Sequence, residues 1–226
     1  MIRKIPFIVG ETYHSYSRGT DKRIIFTNDN DYRRFVFSLY ICNNTISVRT
    51  DNLFQQGRTL LELFGVDRKD TLVYIIAFCL MPNHFHLLLH EKIDGGISLF
   101  MQKLLTAYSM YFNTKHDREG SLFESRFKAK HINTDAYLNW IFSYIHLNPF
   151  KLIHQNWKEK GISNLTSAKK FIQNYRYSSY YDYFIGDRPE KVILNKDIFF
   201  DQSPQINSFE DILKEFEKDF DEYNKQ

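Results

Sequence analysis

The sequence predicts an α+β fold: a ferredoxin-like split βαβ antiparallel sheet with helices on one face, followed by peripheral C-terminal helices. Three observations predict it. The continuous apolar run Leu72–Leu80 (LVYIIAFCL) is broken by Met81-Pro82-Asn83 and followed by His84–His90 (HFHLLLH), so the two runs read as a hairpin of strands. Stretches with helical periodicity lie before and after that hairpin. Strand-like segments at Glu11–Arg18 and Leu122–Ile132 bracket the whole, giving the order strand, helix, strand, strand, helix, strand.

The elements follow in chain order. Glu11–Arg18 (ETYHSYSR) reads as a strand ended by a turn at Gly19. Asn30 or Asp31 can cap a helix running to about Cys42, with Tyr32, Phe35, Val36 and Leu39 on its apolar stripe. Residues 43–70 are polar apart from Leu60–Phe64 and read as a long connection holding a small helix. After the hairpin, Gly95-Gly96 ends that unit. Ser98 can cap a helix whose Met101, Leu104, Leu105, Tyr108, Tyr111 and Phe112 repeat at helical spacing. Leu122–Ile132 (LFESRFKAKHI) alternates as a strand does. Thr134 caps a further helix to about Asn148, where Pro149 is expected to stop it. Shorter helices are expected at 165–173, 178–184 and 209–222. This divides the chain into a core of residues 1–150 and a helical extension of residues 151–226.

Composition is that of a globular protein, with 43% hydrophobic and 25% charged residues; the aromatic share of 17% is high. Net charge is +3, but it is unevenly placed. From residue 201 onward eight acidic residues face three lysines, so residues 1–200 carry +8. A basic body with an acidic tail suits a polyanionic partner. Two cysteines, Cys42 and Cys79, allow no disulfide framework beyond one pair and read as buried thiols in a reducing cytosol. The apolar patch in residues 1–10 is too short for a signal peptide or a membrane span, so a cytoplasmic protein is expected.

Three constellations can carry chemistry. His84 and His86 are two apart on a strand, so both imidazoles share a face while Phe85, Leu87 and Leu89 share the other. Such a pair can converge on one metal ion, or simply sit on a solvated face. In the helix DAYLNWIFSYIHLN, Tyr144 and Asn148 are i and i+4 and can present a phenol and an amide side by side. His146 is turned away from them. With 15 tyrosines in the chain, a half-buried aromatic is the plainer reading of Tyr144 taken alone. Arg126, Lys128 and Lys130 alternate with Phe127, Ala129 and His131 and could form a phosphate-binding face or a solvated one. The cluster Tyr175–Tyr183 is either a stacking platform or, preferably, a segment packed on the sheet edge.

Together these motifs resemble the HUH-class single-tyrosine transposases, closest to the branch of REP-associated tyrosine transposases. The matching pieces are YHSYSRG (Tyr13–Gly19), MPNHFHLLL (Met81–Leu89), GSLFESRFK (Gly120–Lys128), YIHLNP (Tyr144–Pro149) and YRYSSYYDY (Tyr175–Tyr183), in family order. The long 43–70 connection departs from compact members. The resemblance implies that Tyr144 is the nucleophile, that His84 and His86 are metal ligands, and that Asn148 completes the metal site. It also implies Mg²⁺ or Mn²⁺ as cofactor and single-stranded DNA with hairpin-containing ends as partner, bound by a monomer or homodimer. Arg18, Arg126, Lys128 and Lys130 are the expected DNA contacts. The expected reaction is cutting and joining of single strands through a 5′-phosphotyrosine. A replication or mobilisation nickase, a DNA-binding regulator that no longer cuts, and a structural metal-binding domain are the competing readings.

Overall fold

Strands Thr12–Arg18 (β1), Val73–Met81 (β2), His84–Glu91 (β3) and Lys128–Ile132 (β4) pair antiparallel in the order β2-β3-β1-β4, the split βαβ arrangement. The computed structural model describes residues 6–46, 59–162, 164–203, 205–218 and 223. The turn at Pro82-Asn83 joins β2 to β3, with Met81 opposite His84. β1 lies between β3 and β4, and its register sets Arg18 against His84, Tyr16 against His86 and His14 against Leu88. On its other side Tyr16 faces Lys128 and His14 faces Lys130.

Because side chains alternate, this register sorts the sheet into two faces. Phe85, Leu87, Leu89, Phe78 and Leu80 turn toward α1 (Asp29–Ile41) and α3 (Gly96–Lys115) and form one core. Leu88, Ala77, Cys79, Met81 and Ile132 turn the other way, under α4 (Asp135–Leu147). The two helices of the split motif thus share one face, and α4 covers the opposite one. Thr134 makes α4 possible there: its side chain accepts from Tyr137 N at 3.1 Å immediately after β4 ends. Leu138, Ile141, Phe142 and Ile145 are its buried stripe.

The chain beyond 150 builds out the second core. α5 (Trp157–Lys160), α6 (Leu165–Asn174), α7 (Tyr180–Phe184), α8 (Asp197–Phe200) and α9 (Phe209–Lys218) contribute Trp157, Ile172, Tyr180, Phe199, Ile212 and Phe216. Phe220 and the last acidic residues, Asp219, Asp221 and Glu222, lie outside the described residues. Residues 177–179 run along the edge of β2. Leu80 N donates to Tyr177 O and Ser179 N to Phe78 O, at 2.9 and 3.0 Å. The Tyr175 and Tyr183 hydroxyls donate to Leu80 O and Ile76 O at 2.6 and 2.8 Å. The tyrosine cluster is therefore packing, and it pairs backbone that would otherwise be an open edge. α2 (Leu60–Phe64) is the small helix expected in the connection, with a capping box between Thr59 and Glu62; residues 47–58 lie outside the described residues.

Several local expectations are corrected. α1 is capped by Asn28, whose side chain accepts from Asp31 N; Asp31 itself is buried and held by Thr27, Tyr111 and Lys115. α3 starts at Gly96, where Glu91 on β3 accepts from Ile97 N at 2.6 Å and does the capping expected of Ser98. The strand expected from Leu122 begins only at Lys128; residues 124–126 bend, with Glu124 N bonded to Arg18 O at 2.9 Å. Arg126 is therefore outside the strand. Pro149 does not break the helix at Asn148, which keeps helical dihedrals (φ −54, ψ −38). The chain tightens into a 3-10 turn over Asn148–Leu152, with the proline at its start, where a missing N–H costs nothing. Among the described residues, no helix is long and apolar enough to cross a membrane, and Cys42 and Cys79 are buried free thiols.

Candidate active site

The face of the sheet covered by α4 carries a row of imidazoles. His84 and His86 stand on β3 with ring centroids 5.1 Å apart and perpendicular. His14, one strand over on β1, brings Nε2 within 2.9 Å of His86 Nδ1 and stacks on it at 5.0 Å. The tautomer of His84 follows from Asn83: Asn83 Nδ2 donates to Lys22 O, so its Oδ1 accepts from His84 Nδ1–H at 2.6 Å. That leaves His84 Nε2 as a lone pair.

α4 lowers Tyr144 onto this row. Its ring lies 5.3 Å from His86 at 79°, stacks on Trp140 at 5.4 Å, and has Lys158 Nζ 4.1 Å from its centroid. Because Asn148 stays helical, it remains one turn below Tyr144 and on the same face. Two polar atoms here have no hydrogen-bond partner among the described residues: His86 Nε2 and Asn148 Oδ1, both buried. Such orphans are uncommon and point to a missing partner.

Electrostatics favour electron-pair donors at this place. Burial, then Lys151, Arg18 and Lys158, lower the His84 pKa to about 4. Burial, then the neighbouring His14 and His84 and the lysines 158 and 151, hold His86 well below its ordinary value. His14 is lowered to about 3 by burial and then by Lys130 and Lys158. All three are neutral at pH 7, the form a metal ion needs. Burial raises Tyr144 to about 12, while a hydrogen bond with Asn148 opposes the rise.

The donor set fits a divalent ion. Two imidazoles with free lone pairs and one amide oxygen would hold it through His84, His86 and Asn148, leaving positions open for substrate. Among the described residues no three His, Cys, Asp or Glu side chains form a metal-holding group.

The sequence-derived residues divide accordingly. His84, His86 and Tyr144 come together, and Asn148 lies beside Tyr144. Lys130 flanks His14, and Lys128 projects outward 3.9 Å from Glu124. Arg18 faces His84 but is paired with Glu124 at 3.0 Å. Arg126 lies in the exposed bend and is not part of the lysine row. His90 bonds Thr12 and His146 bonds Ser179, both away from the site. His14, Tyr16, Lys151 and Lys158 were missed. Alternation in YHSYSR could have placed His14 and Tyr16 on the face of Arg18, but only the register brings them to His86. Lys151 and Lys158 carry no pattern.

A family model described as IS200-like transposase matches residues 32–148, just over half of the chain. No curated protein matches it. Among solved structures, a REP-associated tyrosine transposase bound to a REP hairpin aligns with 81% of this chain and 84% of its own, at 15% identity and a TM-score of 0.45.

Proposed function

Starting from a chain that belongs to the IS200-like transposase family, we propose that it is a single-stranded DNA endonuclease and strand transferase that works through a covalent phosphotyrosine on Tyr144. The observation that carries this reading is one of coincidence in space. A phenol lies over the His86 ring, whose Nε2 has no partner, and Asn148, one turn along from that phenol, leaves its Oδ1 without a partner too.

The chemistry follows from these groups. The Tyr144 oxygen attacks phosphorus and gives up its proton. The new O–P bond forms as the bond to the 3′ oxygen breaks, and that oxygen leaves as a 3′ hydroxyl. The downstream fragment keeps its 5′ phosphate on Tyr144, so the phosphodiester energy is retained. A second 3′ hydroxyl can then reverse the step and join strands. A bound Mg²⁺ or Mn²⁺ would polarise the scissile phosphate and offset its developing charge. Two nitrogen donors favour Mn²⁺ at least as much as Mg²⁺. Lys158 and Lys151 bring positive charge beside the imidazoles, and Lys128, Lys130 and Arg18 extend it along the sheet toward a phosphate backbone. The substrate in this reading is a single strand bearing a hairpin, met in the cytoplasm.

The test is direct. A 3′-labelled hairpin-bearing single strand is incubated with protein and Mn²⁺, denatured, and any DNA–protein adduct digested and mapped by mass. An adduct on the peptide containing Tyr144, absent without metal and absent with fully paired duplex, is expected. Equal cleavage of single strand and duplex, or an adduct elsewhere, would reject the proposal.

A further inference from the structure

The bond between His14 and His86 has two possible directions, and only one leaves His86 able to bind a cation. The two nitrogens are 2.9 Å apart, and both rings are buried. A single proton lies between them, so one ring donates and the other accepts. If His14 donated, a neutral His86 would carry its own proton on Nε2. That nitrogen is sealed off with no partner, so the proton would be a buried donor with nothing to bond to. If His86 donates through Nδ1, its Nε2 is instead a bare lone pair.

We propose that His14 is a positioning residue: it accepts a hydrogen bond from His86 Nδ1–H and thereby holds His86 in the tautomer and orientation that offer Nε2 to a divalent cation. Asn83 does the same for His84 from the other end of the pair. The two donors of the site are thus each set by a neighbour on the nitrogen that does not face the ion. His14 is suited to the task because it cannot easily turn. It is buried on the central strand β1, with the Tyr16 ring stacked on one side at 5.0 Å and 25°, and the His86 ring at 22°. The β1–β3 register, which pairs Tyr16 with His86 and His14 with Leu88, makes His14 the diagonal neighbour that can reach Nδ1.

This inference rests on the metal-ligand reading of His86, and the experiment separates the two. Mn²⁺ affinity of the DNA-free protein is measured from the electron paramagnetic resonance of free Mn²⁺, for wild type, His14→Gln, His14→Leu and His86→Ala. Glutamine places an amide oxygen near the position of Nε2 and can still accept; leucine fills the space and cannot. Expected is a Kd raised about 10–100-fold in His14→Leu, close to wild type in His14→Gln, and no measurable binding in His86→Ala. Wild-type affinity in His86→Ala would overturn the ligand reading itself. Loss in His86→Ala with wild-type affinity in His14→Leu would overturn only the role of His14, as would equal loss in both His14 variants. A second measurement needs no variant to fold. Imidazole ¹⁵N shifts of the metal-free wild-type protein should show His86 protonated on Nδ1, and a proton on Nε2 would refute the proposal.

Discussion

Replacing Tyr144 by phenylalanine separates chemistry from packing more cleanly than any other change in the site. The substitution removes one oxygen and leaves the ring. That ring is held by Trp140 at 5.4 Å, by the edge contact with His86 at 5.3 Å and by Lys158 at 4.1 Å, none of which needs the hydroxyl. The structural loss is at most one hydrogen bond, that of the Asn148 amide N–H to the phenol oxygen, worth about 0.5–1.5 kcal/mol net. For a chain of this size that is a drop in Tm of about 1–6 °C. The chemical loss is of another order, because removing a nucleophile costs about 10⁴–10⁶-fold. The assay is the 3′-labelled strand on a denaturing gel, beside thermal melting of both proteins. Expected is a melting temperature inside that window, with no labelled protein band. A variant that melts normally and still forms the adduct at the wild-type rate would refute the assignment. Tyr16 would then be the next phenol to test, since its ring lies 5.8 Å from His86. Tyr137 is buried and stacked on Tyr223 at 4.7 Å.

Other consequences can be measured separately. His14 and His146 are buried and lowered to about 3, so below the ordinary value of 6.5 the unfolded chain binds protons that the folded one refuses. Stability is therefore full above pH 6.5 and falls as pH drops toward 3, by about 1–2 kcal/mol for each of the two between pH 7 and 5; an unchanged urea midpoint at pH 5 would contradict this. Lys130→Ala should weaken single-strand binding and reduce the log–log salt slope by about one. Arg18→Ala should change it less, since Glu124 already neutralises that charge; the reverse ranking in a salt titration would show that the DNA path runs elsewhere. Asn148→Ala should need more Mn²⁺ for cleavage and recover partly at high Mn²⁺ by mass action, while Asn148→Asp keeps activity. Identical Mn²⁺ dependence in wild type and Asn148→Ala would reduce Asn148 to a residue that shapes the turn.

The parts of the site that the sequence made visible are those set by one element at a time. Period two puts His84 and His86 on one face of β3, and helical period puts Tyr144 over Asn148 on α4. Neither needs any knowledge of the partner element. The approach of α4 to β3, and of His14 to His86, depends on the order β2-β3-β1-β4 and its register. No local pattern carries that information, which is why His14 went unnoticed beside the more obvious histidine pair. Pro149 illustrates the opposite failure, a local rule applied too strictly. Proline disfavours helix in the residue before it, but here the chain tightens into a 3-10 turn around it and Asn148 stays helical. Alternation misled at residues 122–127 for a similar reason: Phe123 forms a bridge to Gly19, and the bends that follow delay β4 to Lys128.

The boundary drawn near residue 150 also takes a different meaning in the folded chain. A helical extension suggests something added to a finished core, yet the face that bears the site is finished by that extension. Phe142 of α4 stacks on Phe199 at 3.7 Å, and Trp157 packs on Phe216 at 4.8 Å. His146 bonds the hydroxyl of Ser179, which itself accepts from Phe78 N, so α4, the tyrosine segment and the edge of β2 are tied at one point. Each large aromatic in such a core is worth about 3–5 kcal/mol against alanine, and whole-domain stability is about 5–15 kcal/mol. A handful of contacts from beyond residue 150 is therefore comparable to the whole net stability of a domain. α4 has only modest contact with the sheet on the side of β4, and it carries Tyr144, with Asn148 at its C-terminal end. Its position over the imidazoles is thus fixed largely from outside the segment that carries the histidines and the tyrosine. The candidate site belongs to the sheet by its imidazoles and to the C-terminal helices by its geometry.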